Sequence, residues 1–147
     1  MRQESSNLTD ALRVWFRDCP ALTAGAKFGV NYLAERPTEY AVYATPSTIR
    51  YRENVLGEEV PEDTQTQNFI FASKEAYGAD TGTNIAAMAF YEAVTVWIQA
   101  QNAARNFPRF TGGKVRSITP TLTAYPAEVG ADTAKYQIQL KITYRRT

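Results

Sequence analysis

Four carboxylates within six residues, Glu58, Glu59, Glu62 and Asp63, form the densest acidic group in this 147-residue chain. Clustered acids can hold calcium, but these lack the alternating oxygen ligands and fixed glycine of an EF-hand loop, so they read as a solvated or partner-seeking stretch. A second group is basic: Arg105, Arg109 and Lys114 interleave with Phe107 and Phe110. Cations mixed with aromatics can touch nucleic acid, whereas phenylalanines that fold back into a core leave the cations on an ordinary linker; the second reading is the simpler. Both groups are candidate partner contacts, placed on loops where binding residues commonly sit.

Catalysis finds little to work with. The chain has no histidine, which removes the usual general base near neutral pH, the commonest metal ligand and every Ser-His or Cys-His arrangement. Cys19 is the single cysteine, so it has no partner thiol within the chain and reads as a small hydrophobe on a helix stripe. Thr111-Gly112-Gly113-Lys114 is faintly like a phosphate-binding turn, but the pattern after it is that of a strand and not of a helix N-terminus. Glu35 and Glu39 could be drawn as a carboxylate pair, yet Pro37 between them breaks any helical spacing. The sequence predicts no enzyme, no cofactor and no metal site.

Length and charge bound the remaining choices. One domain spanning 1–147 is the economical reading, able to bury roughly two-thirds of its unfolded surface. The formal charge of +1 gives no whole-molecule field that would favour nucleic acid or an anionic membrane as the main partner. No stretch approaches the ~20 apolar residues of a membrane span, and the opening MRQESSN lacks the apolar run of a signal peptide, so the sequence predicts an unsecreted product made in a reducing cytoplasm.

The elements that must position these groups follow from periodicity. Asn7 caps a first helix whose stripe is Leu8, Ala11, Leu12, Trp15, Phe16 and Cys19; Pro20 ends it, and Arg13 and Arg17 fall on the other face, solvated or facing acids of a partner. Extended runs follow at 28–32, at Tyr40, Val42 and Ala44, at 49–52 and at 67–73, with a long acidic loop over 54–67. A second helix over 83–105 is apolar round most of its circumference, leaving a thin polar line of Glu92, Thr95, Gln99 and Asn102. Such a helix is covered on more than one side, by the first helix or by another subunit. After the basic loop of 105–114, strands at 115–125 and 134–146 close the chain, joined through 127–132. Pro120 cannot donate to a ladder and marks an edge or a bulge. In the last strand Tyr136, Ile138, Leu140, Ile142 and Tyr144 alternate without a slip against Lys135, Gln137, Gln139, Lys141 and Thr143, one face for the core and one for water or a neighbour. The predicted fold is α+β: a mostly antiparallel sheet of five to six strands with two helices packed on one face.

The runs FIFASKEAYGAD at 69–80 and DTAKYQIQLKITY at 132–144, with Phe90-Tyr91-Glu92 and the opening Ala11-Leu12, Cys19-Pro20 and Asn31-Tyr32-Leu33, resemble the small minor capsid or tail-completion proteins of tailed bacteriophages and prophages. The element order resembles their tail terminators, over nearly the whole chain. That resemblance implies a structural virion protein with no catalytic residues: a hexameric ring on the tail tube in the neck of the particle, assembled in the host cytoplasm. Its implied partners are copies of itself, the major tail tube protein and a head-connector protein, with genomic DNA passing the lumen unbound and no membrane contact. Arg50-Tyr51-Arg52 and the acidic stretch lie where the likeness is weakest. Two other readings stand beside it, a head-closure ring of the same neck and a soluble adaptor that binds through its sheet edge.

Overall fold

The first helix begins as its cap residue dictates: Asn7 Oδ1 accepts from Asp10 N at 2.8 Å, satisfying a donor that the first turn leaves without a helical partner. In the computed structural model, which describes residues 5–23, 26–31, 33 and 39–147, the elements run α1 (Leu8–Phe16), β1 (Phe28–Val30), β2 (Glu39–Ala44), β3 (Tyr51–Glu53), β4 (Glu59–Pro61), β5 (Thr64–Ala76), α2 (Thr81–Ala104), β6 (Arg109–Phe110), β7 (Gly113–Val129) and β8 (Thr133–Arg146). Six strands make one sheet in the order β1-β2-β5-β8-β7-β6, and β3 with β4 forms a separate hairpin. The fold is α+β, as the periodicity predicts. The sheet is mixed, because β1 runs parallel to β2 while the remaining pairs are antiparallel.

β8 lies at the centre and its alternation decides which face carries the core. Ile138, Leu140 and Ile142 are fully buried, and the register sets Phe71 beside Ile138 and Phe69 beside Leu140 on the same face. Burying each such side chain is worth about 1.5–3 kcal/mol relative to leaving it in water. Trp15 and Phe16 of α1 complete the cluster, with Phe16 stacked on Phe71 at 4.6 Å between ring centroids. On the opposite face Gln137 is buried too, donating to the Tyr125 hydroxyl at 2.6 Å, and the Lys135 ammonium lies 4.4 Å from the Tyr43 ring centre. That face is therefore partly self-covered and not uniformly solvated.

α2 places Ala87, Tyr91, Val94 and Ile98 on the sheet, one side chain per turn of the helix. Tyr91 Oη donates to the Tyr136 carbonyl at 2.9 Å and lies 2.6 Å from Ser73 Oγ, so its buried polar end is satisfied. The polar line read from the sequence does not all face water: Asn102 Oδ1 accepts from the backbone of Ile118 at 3.0 Å, tying α2 to β7.

Two stretches differ most from the periodic reading. Residues 54–67 are no long loop; they contain most of the β3–β4 hairpin and the start of β5, short pairings that leave no burial rhythm in the sequence. β7 extends to Val129, which shortens its connection to β8. Pro120 lies at one of four register shifts along β7, as a residue without a donor requires. Tyr32, the last residue of the predicted run at 28–32, and Glu35 of the carboxylate pair lie outside the described residues.

Candidate partner-binding surfaces

The four acids occupy the β3–β4 hairpin and its exit, and the fold separates their roles. Glu58 and Glu59 are exposed beside the turn; Glu62 is half-buried and ion-paired with Arg50 at 3.1 Å; Asp63 accepts from Arg146 N through its backbone carbonyl at 2.7 Å. The hairpin holds its shape without an apolar core. At the tip, Asn54 Oδ1 accepts from Leu56 N and Glu58 N at 2.9 and 3.0 Å, and Gly57 supplies the left-handed turn at φ 81°. At the root, the Gln65 side chain closes three bonds to the backbone of Arg50 and Glu62. What the tip presents is apolar: Val55 is 103% exposed and Leu56 78%. Sequence reading fixed on the acids and passed over this Val-Leu pair, the one apolar dipeptide in a polar turn.

The three basic residues converge. α2 ends in a Schellman pattern, with Asn106 N bonded to Gln101 O and Arg105 N to Asn102 O, and Arg105 takes the left-handed position at φ 57° where glycine is usual. Trp15 Nε1 donates to the Asn106 carbonyl at 2.8 Å and pins this corner to α1. Arg109 and Lys114 then face each other across the β6–β7 pair. Together with Arg17 of α1 they line a groove of about 1340 Å³ whose wall also contains Asp10, Asp18, Val14 and Phe107. Arg17, read from the sequence as a helix-face cation that is solvated or faces acids of a partner, is the residue that completes the cluster; its placement there depends on the pinning of α1 to the end of α2, which is a tertiary contact. Arg13 instead binds Asp10 at 2.8 Å, and that hydrogen bond, with Arg17 adding, holds the Asp10 carboxyl below its ordinary range. Phe110 is buried, edge-on to Tyr144 at 5.5 Å, and Phe107 packs on the core, so the basic loop keeps no stacking platform for bases.

A third surface is the outer side of α2. The first helix covers part of the over-apolar circumference, through Trp15 against Trp97 at 4.5 Å. Ile85, Met88 and Val96 stay exposed, the first and last at 62% and 65%. A shallow depression of about 460 Å³ runs beside Ile85, Met88 and Ala89, and the Asn84 Oδ1 next to it is buried without a hydrogen-bond partner. Among the described residues no group of three or more acids and cysteines is placed to hold a metal ion, and no helix is long and apolar enough to cross a membrane. Burial pushes the Cys19 thiol up, away from the reactive thiolate. No family model matches the chain, and no curated protein matches it either.

Proposed function

We propose that this chain is a structural protein of a tailed-bacteriophage virion, a tail terminator that forms a hexameric ring at the head-proximal end of the tail tube. There it ends tube polymerisation and joins the tail to the head connector, leaving a channel for DNA. The observation that carries this reading is the uncovered outer side of α2, where large apolar side chains stand in water beside an unpartnered amide oxygen. Apolar stripes of this kind mark interfaces more often than free surface. The sequence resemblance supplies the identity of the assembly. A formal charge of +1 suits a conduit past which a polyanion slides without being gripped.

The test is to mix the purified chain with purified tail tubes and to follow the products by native mass spectrometry and electron microscopy. A closed oligomer seated on one tube end is expected, each lateral contact burying more than about 1,000 Å². Rings that bind isolated connectors and ignore tubes would reassign the chain to head closure; a strictly monomeric chain that joins neither would overturn the reading.

A further inference from the structure

We infer that the β3–β4 hairpin of one copy of this chain docks into the basic groove of the next copy, through its acidic flank and its Val55-Leu56 tip. This rests on the ring reading above and names the contact that would link the subunits.

Charge makes the two surfaces complementary. Residues 50–63 carry five carboxylates against two guanidinium groups, and one of those guanidiniums, Arg50, is already paired within the hairpin with Glu62. The groove opposes Arg17, Arg105, Arg109 and Lys114 to Asp10 and Asp18, and Asp10 is already held by Arg13. The apolar parts also correspond. Val55 and Leu56 have no cover of their own, while Val14 and Phe107, both half-buried, give the groove wall apolar surface. At about 1340 Å³ the groove exceeds the size of ordinary small-molecule sites, and none of its lining comes from residues 50–63 of the same chain.

Placement then favours a copy of the chain over any other occupant. Thr64, where the hairpin rejoins the sheet, pairs with Arg145; Arg145 pairs on its other side with Lys114, and Lys114 with Arg109. Hairpin and groove thus lie at the same end of the sheet, on opposite flanks of β8. A knob on one flank and a socket on the other, at one level, is the arrangement that a head-to-tail contact repeats and a rotation can close. Arg105 adds an independent sign. It holds a left-handed backbone position at φ 57° that glycine would occupy without strain, and its cation is what that position gains.

Sedimentation of the purified full chain tests the contact at about 50 mM and again at roughly 500 mM salt, where screening shortens to a few ångström. The hairpin variant Glu58→Lys with Glu59→Lys and the groove variant Arg105→Glu with Arg109→Glu should each weaken self-association by at least about tenfold at the lower salt, and an equimolar mixture of the two should associate again. Arg105→Gly separates fold from contact: it should raise the melting temperature while weakening association, opposite signs that a merely structural role would not give. Leu56→Ser should weaken association at both salts. Variants that associate like wild type, or a mixture that stays as weak as its parts, would overturn the hairpin contact while leaving a ring in place. A wild-type chain that stays monomeric with and without tubes overturns the ring reading itself. Double-stranded DNA retained by wild type and lost on groove reversal, with association unchanged, would assign the groove to phosphate instead.

Discussion

β8 and the β3–β4 hairpin are built from the same kinds of side chain and are stabilised in opposite ways. In β8 the apolar residues Ile138, Leu140 and Ile142 are fully buried against α2 and β5, and the strand is held by what it excludes from water. In the hairpin Tyr51, Val55 and Leu56 are exposed, and the shape rests on the Asn54 and Gln65 side chains bonding the backbone. Burial couples β8 to the stability of the whole fold. At the hairpin's tip Val55 and Leu56 add no burial to the isolated chain and are available to a partner.

The contrast breaks most visibly in the core. Leu140→Ala should cost about 2–5 kcal/mol, lost transfer energy plus an unfilled cavity, while Gln139→Ala on the other face should stay within roughly 0.5 kcal/mol in urea unfolding. Similar losses at both positions would mean that the two faces of β8 are not distinguished. A subtler effect concerns Glu75, beside the buried hydroxyl pair of Ser73 and Tyr91. Burial raises its carboxyl above the ordinary range, so the folded state binds this proton more tightly than the unfolded one. Its contribution is then greatest below about pH 4.3, the ordinary glutamate value, and is lost as pH rises through the raised folded value. The urea midpoint of Glu75→Gln relative to wild type should climb across that window; parallel pH profiles would deny the shift. Smallest of all, Leu56→Ser should leave stability within about 0.5 kcal/mol by thermal unfolding, since no packing is removed. A large loss there would show that the tip packs on its own chain.

How much of this the sequence discloses depends on whether burial imposes a rhythm. β8, the α1 stripe and the span of α2 are legible, because a half-buried strand or helix must repeat its apolar residues at the period of its backbone. β3 and β4 have exposed or half-exposed residues throughout, so no alternation marks them, and the hairpin reads as loop. The basic site is half legible: Arg105, Arg109 and Lys114 are neighbours in the chain, but Arg17 reaches them only because Trp15 fastens α1 to Asn106. Asn102 shows the converse failure. It sits on the polar line of α2 and turns inward, since a backbone donor of β7 needs an acceptor there.

The uneven edge of β7 has a consequence for how copies of this chain can meet. Among the described residues no strand other than the two-residue β6 pairs with the outer side of this long strand, a template on which identical chains could stack strand upon strand into fibres. Pro120, Pro126 and four register shifts spoil that template, since an irregular ladder offers no continuous row of donors and acceptors. The opposite edge, β1, is three residues long. Aggregation through open-ended strand addition is thereby discouraged at both margins, which leaves side-chain surfaces to govern which contacts form and where growth stops.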